Sequence, residues 1–263
     1  MRILLTNDDG IHAQGLAALE AIATSLSDDV WICAPEREQS GASRALTLSE
    51  PLRVRALGER RFAVQGTPTD CVMLGLQELV KGAKPDLLLS GVNRGVNLAE
   101  DVTMSGTVAG AIEGMALGVP SIALSQMTDG YRGDQREDFK AAERHAPQLL
   151  ANLLAIGWPG DAVLNINFPI SEGDADVAVT RQGFRDVRTR YAEKRTDLRG
   201  RDYYWLGYTR EPSRPSEGTD LRAAYEGKIS VTPLHIDLTH HDALATLRLE
   251  MTGRRSVSTR SGE

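Results

Sequence analysis

The sequence predicts an α/β fold built on a parallel, doubly wound sheet. Three observations predict it. Short runs such as Ile3-Leu4-Leu5 and Leu87-Leu88-Leu89 are apolar without alternation, as in strands covered on both faces. Between them lie segments with apolar residues at helical spacing. The order strand, helix, strand, helix then requires crossovers that keep successive strands parallel.

Taken in order, Ile3 to Leu5 is a buried strand. Leu16 to Leu26 is a helix, apolar at Leu16, Leu19, Ala23 and Leu26. Val30 to Cys33 is the next strand, stopped by Pro35. Thr67-Pro68-Thr69-Asp70 opens a helix, with a threonine cap, proline in the first turn and an acid at the third position. That helix runs to about Lys81 and ends at Gly82. Leu87 to Leu89 is a strand, and Gly106 to Leu117 is a helix whose alanines and glycines let it approach the sheet closely. Ser121 to Leu124 follows as a strand, then a helix from Phe139 to Leu154 and a strand from Val163 to Phe168, ended by Pro169. The character then changes. Arg181 to Arg201 is rich in arginine, with Asp186, Glu193 and Asp197 interspersed, and reads as a solvated hairpin or subunit-contact arm. It leads into Tyr203-Tyr204-Trp205, a loop from Pro212 to Gly218, a strand from Ile229 to Pro233 and a polar tail.

The 263 residues suit one large α/β domain, or a core with an appendage. A net charge of −6 argues against an extended nucleic-acid or anionic-membrane footprint, so no nucleic-acid polymer and no membrane are expected as partners. Cys33 and Cys71 both sit in apolar company and read as buried free thiols in a reducing compartment. Asn7-Asp8-Asp9 interrupts the apolar start, so no secretory leader is read there. No apolar run approaches the roughly 20 residues of a membrane span. A cytoplasmic protein is expected.

Four loops are read as falling just after apolar strands, which makes them candidates for one shared site at the sheet's carboxyl edge, where such folds bind ligands. The first is Asp8-Asp9-Gly10. Two adjacent aspartates repel each other and are costly to dehydrate unless a cation sits between them. The alternative is that Asp8 caps a helix and Asp9 turns the chain. The second loop, Ala34 to Gly41, brings Ser40, which reads as a turn or as an anion-facing hydroxyl. The third, Ser90 to Asn97, contains Asn93-Arg94-Gly95; its asparagines suit turns, and their carbonyls also suit a hard metal. The fourth, Ser105-Gly106-Thr107, is a helix start with two hydroxyls and a close-approach glycine, where free N–H groups bind phosphate. It is neither a Walker P-loop nor a GxGxxG turn. His12 reads as a helix-start residue, with a general-acid role as the alternative.

All candidate metal ligands are oxygens, which favours magnesium or manganese over zinc and leaves calcium open. A metal beside an anion-binding helix end suits phosphate-ester hydrolysis by a metal-activated water. A covalent aspartyl-phosphate route is disfavoured, because the Asp-x-Asp spacing it uses is absent.

These blocks together resemble the SurE (survival protein E) family of metal-dependent nucleotidases. The resemblance rests on Ile3 to Ile11, Ala34 to Gly41, Gly66 to Val72, and Pro85 through Gly95 to Val108, with weaker similarity at Asn165 to Pro169 and Gly218 to Leu234. It implies a Rossmann-like core that dephosphorylates nucleoside 5′- and 3′-monophosphates and some short polyphosphate. It implies one divalent metal per subunit on Asp8, Asp9, Ser40 and Asn93, with Asp8, Asp9 and Asn93 taking part in catalysis. Asn97, Ser105, Gly106 and Thr107 would line the phosphate pocket. It further implies a homodimer or homotetramer. The catalytic core then covers residues 1–170; the arm and C-terminal oligomerisation segment cover 171–263, completing the core and making subunit contacts. Arg44-Ala45 depart from the histidine and serine that family members often carry there. A nucleotide-binding regulatory protein without turnover is the competing reading.

Overall fold

The structure is a computed structural model that describes residues 1–128, 138–170, 173–185, 190–208 and 214–253. Asp186 and the start of the 212–218 loop therefore lie outside the described residues.

The expected sheet is present and larger than the sequence suggested. Its strands are β1 (Arg2–Thr6), β2 (Asp29–Pro35), β3 (Val54–Gly58), β4 (Arg61–Val64), β5 (Leu87–Arg94), β6 (Ser121–Gln126), β7 (Val163–Phe168), β8 (Val177–Val179) and β11 (Ile229–Leu234). Their order across the sheet is β3-β4-β2-β1-β5-β6-β7-β11-β8. Neighbours from β4 to β7 are parallel, whereas β3 on β4 and β11 on β7 are antiparallel. Strand order reverses at β1. From there the chain first winds outward to β2 and β4, then returns to β5 on the other side. The crevice between the carboxyl ends of β1 and β5 is thus the topological switch point.

Helices α1 (Gln14–Thr24) and α4 (Lys140–Ile156) cover one face, α2 (Pro68–Leu74) and α3 (Gly106–Ala116) the other. Strand side chains alternate between them. Ile3, Leu5, Leu87 and Leu89 pack with Leu16, Leu19 and Ala146. Leu4, Leu88 and Cys33 pack with Val72, Val108 and Ala111. Both cysteines are free and buried.

The α2 capping box forms as expected. The Asp70 backbone N–H donates to Thr67 Oγ1 at 3.2 Å, and the Thr67 N–H donates to Asp70 Oδ2 at 2.9 Å. The helix does not run on to Lys81. After Leu74 it widens into a π turn over Gly75–Leu79, and Val80 is extended. Gly75 sits where a methyl group would lie 3.1 Å from Leu4 Cδ2 and 3.3 Å from Cys33 Cβ, so contact with the sheet dictates the path there.

The arginine-rich segment forms the antiparallel pair β9 (Arg190–Thr196) and β10 (Asp202–Tyr208), which stands apart from the main sheet. Tyr204 and Trp205 on it are exposed. The expected polar tail is instead helical over α6 (His241–Gly253), with Leu247, Leu249 and Met251 exposed. Among the described residues no helix is long and apolar enough to cross a membrane.

A short helix, α5 (Asp220–Tyr225), carries a structural acid that the sequence did not single out. Asp220 is fully buried. Its Oδ2 accepts from the Ala99 N–H at 2.9 Å, and its Oδ1 accepts from the Gly183 and Leu221 N–H groups at 2.8 and 2.7 Å. Three chain segments therefore meet on one carboxylate. Asp220→Ala strands those donors and is expected to destabilise the fold by about 3 kcal/mol in chemical denaturation.

Candidate active site

The switch-point crevice gathers the acidic loop after β1, the end of β5 and the start of α3. Asp8 is only 5% exposed. The Thr107 hydroxyl donates to its Oδ1 at 2.6 Å. A methyl group on Gly106 would lie 2.7 Å from Asp8 Cβ and 2.9 Å from Oδ2, so glycine is what allows α3 to begin against this carboxylate. Asp8 is not a helix cap. Its backbone carbonyl instead accepts from the Gln39 N–H at 2.7 Å, which anchors the Ser40 loop beside it. Asp9 Oδ2 accepts from the Arg94 backbone N–H at 3.3 Å, tying the acid pair to the end of β5.

Asn93 donates from Nδ2 to the Gly95 carbonyl at 2.8 Å, which fixes the amide and leaves Oδ1 outside that bond. Ser40 is exposed, and its hydroxyl donates to Glu38 Oε1 at 2.7 Å. Ser105 caps α3 by accepting from the Val108 N–H at 3.1 Å. Asn97 donates from Nδ2 to Ser125 Oγ at 2.8 Å. Its backbone N–H donates to Asn167 Oδ1, and its carbonyl accepts from Asn165 and Asn167. Those two β7 asparagines hold the loop that follows Asn93, a role invisible in their own segment. His12 is exposed before α1 and lines a cleft of about 350 Å³ with Asp9, Glu38 and Arg94.

The electrostatics favour a cation. Burial is the main cause that raises the Asp8 carboxyl above its ordinary range, opposed by the Thr107 hydrogen bond and reinforced by nearby Glu38. Asp9 is pushed up to about 6, first by burial and then by the charge of Asp8, against the backbone N–H of Arg94. Two desolvated carboxylates side by side, with an amide and a hydroxyl as neutral oxygen donors nearby, fit a hard divalent metal. They lack the clustered His or Cys ligands of a zinc site, and among the described residues no group of three or more His, Cys, Asp or Glu is placed to hold a metal, so any site here draws on the amide and hydroxyl as well.

The same burial, reinforced by repulsion from Asp8, predicts a stability effect. In the metal-free protein the folded state holds the Asp9 proton more tightly than the unfolded chain, whose ordinary value is 3.8. The folded state thus loses relative stability as pH rises from about 4 to about 6. Asp9→Asn is expected to remove that component and raise the thermal midpoint of the metal-free protein at pH 7.5, as read by circular dichroism in a chelator.

Comparison with known proteins adds a family. A family model described as Survival protein SurE matches residues 3–189. A Phenylobacterium zucineum protein named 5′-nucleotidase SurE is 68% identical over 255 residues, spanning 96% of this chain and 98% of its own. A Caulobacter vibrioides protein of the same name is 66% identical over 250 residues, covering 94% and 95% of the two chains. Among solved structures, the SurE protein from Aquifex aeolicus superposes with a TM-score of 0.80 at 38% identity, covering 95% of this chain and 100% of that one.

Proposed function

This chain belongs to the SurE family, and from that premise we infer that it is a metal-dependent phosphohydrolase that releases phosphate from nucleoside monophosphates. One observation carries the reading: of two adjacent, desolvated carboxylates, one is pressed against the first glycine of an α-helix. A phosphate monoester needs that pairing, a cation site next to backbone donors.

Asp8, Asp9, Ser40 and Asn93 would hold one divalent metal per subunit, magnesium or manganese. When bound, such a cation neutralises phosphoryl charge and lowers the pKa of water at the site. The chain's own residues do the rest. The N–H groups at Ser105 and Gly106 bind phosphoryl oxygens beside Thr107, helped by the positive end of α3. Thr107 commits both its hydroxyl and its backbone N–H to Asp8 and fixes that carboxylate's rotamer, so it serves the phosphate pocket by holding Asp8 at its edge. Asn97, held by Asn165 and Asn167, borders the pocket. Asp8 and Asp9 also orient the attacking water.

The substrate is a small nucleotide, consistent with a net charge of −6 that disfavours polymers. Short polyphosphate is a further substrate, and the working unit is a homodimer or homotetramer in which residues 171–263 make the subunit contacts. Two buried free thiols support a cytoplasmic setting. Nothing in the comparisons supports the regulatory reading without turnover.

The test is phosphate release from 5′- and 3′-nucleoside monophosphates, ribose 5-phosphate and polyphosphate, after chelation and again with manganese or magnesium restored. Metal-restored release from the nucleotides is expected. No release under any metal, from folded protein, would overturn the reading.

A further inference from the structure

Hydrolysis of a nucleotide, as opposed to any phosphate ester, requires a place for the base. The cleft beside Asp9 is less suited, because Asp9, Glu36 and Glu38 face Arg94 and His12 across it and Phe139 is its one large apolar side chain. A second cavity, of about 200 Å³, opens on the other side of the start of α3. Its walls are largely aliphatic. Val108 and Ile112 come from α3, Val102 from the turn that precedes it, and Ile236 from the segment after β11. Ser105, the residue that caps α3, is part of the lining, so the cavity begins where the phosphate pocket ends.

Polar side chains punctuate these walls, among them Thr103, Gln182, His235 and one arginine. Arg44 lines the cavity, and Glu113 takes its Nε at 3.2 Å and Nη2 at 2.8 Å. Glu113 itself is 8% exposed. That grip fixes the plane of the guanidinium and leaves Nη1 outside the Glu113 contact. The loop that carries Arg44 is pinned to the same wall, where the Ser43 hydroxyl donates to the Thr103 carbonyl at 2.8 Å.

The geometry points to a nucleobase subsite in this cavity, with Arg44 as its specificity-determining residue. The inference rests on the phosphohydrolase reading, which seats the phosphate at the same helix end. A planar base has apolar faces and polar edges. Aliphatic walls take the faces, and a fixed guanidinium donates to edge acceptors or stacks on the ring. The space matches one ring system and adjoins the phosphate site, which is what a nucleoside monophosphate demands.

The test separates this subsite from the activity. Binding of adenosine, which has a base and no phosphate, is followed by saturation-transfer NMR in wild type, Arg44→Ala and Ile236→Asp. Ile236 is 45% exposed, so its replacement leaves the fold intact even where loss of the Glu113 partner does not. The expected result is an adenosine signal in wild type that both variants lose. The kcat/KM ratio of adenosine 5′-monophosphate to ribose 5-phosphate should also fall at least about tenfold in both. Absence of the signal in wild type, or its persistence in either folded variant, overturns the inference. So does a change in oligomeric state with adenosine binding intact, which would assign the cavity to a subunit contact. If no ester is hydrolysed at all, the phosphohydrolase reading fails, and the NMR result still decides the cavity.

Discussion

Asp8→Asn is expected to lower phosphate release by about three orders of magnitude, roughly 4 kcal/mol of transition-state stabilisation, without unfolding the protein. The substitution keeps shape and removes one charge. Asp8 is almost fully buried, pressed by Gly106 and held by the Thr107 hydroxyl, so the side chain has no room to move aside. What changes is the field. The remaining carboxylate, Asp9, cannot by itself neutralise a divalent cation, and manganese affinity measured by calorimetry should fall in parallel. The metal-free fold should be as stable as wild type or more so, because burying the Asp8 charge next to Asp9 is unfavourable. Loss of activity together with a lower thermal midpoint would instead mean that Asp8 is structural.

Gly15→Ala is the largest stability effect expected. Gly15 lies in α1, where the helix crosses the end of β5. An added methyl group would sit 2.0 Å from the Val92 carbonyl oxygen and 3.0 Å from Phe139 Cζ. The first obstacle is backbone of an interior strand flanked by β1 and β6, so it cannot yield as a side chain tip would. The helix must move off the sheet, at a cost of at least about 3 kcal/mol. For a chain of this size that lowers the thermal midpoint by roughly 6–12 °C. Gly58→Ala, where nothing lies within 4 Å, is the matched control and should change little. Val92 precedes Asn93, so any relaxation at Gly15 also displaces a proposed metal ligand. Metal affinity should therefore drop more in Gly15→Ala than in the control.

The central strands were legible in the sequence because parallel strands buried on both faces must be apolar at every position, as Ile3-Leu4-Leu5 and Leu87-Leu88-Leu89 are. The start of α2 was legible because a capping box is a local device, complete within Thr67 to Asp70. The hairpin of β3 and β4 was not, because β3 lies at the sheet's edge, mostly exposed, with no apolar run to announce it. Helix α6 was hidden for a similar reason, since Leu247, Leu249 and Met251 are exposed and its apolar residues follow no strong face. At the site, residue types could be read and their couplings could not. The Thr107 hydroxyl reaches Asp8 across 99 positions, and Asp220 reaches Ala99 across 121. Thr107 therefore reads in the sequence as a phosphate ligand, while the fold spends its hydroxyl on orienting a carboxylate. Nor does any local pattern mark the cavity at Arg44, which draws on four separate segments.

An anomalous difference map from crystals soaked in manganese tests whether these loops build one metal site at the switch point. A single peak per chain bounded by Asp8, Asp9, Ser40 and Asn93 is predicted, absent in Asp8→Asn. A wild-type map with no peak there, or with manganese bound only elsewhere, would contradict it.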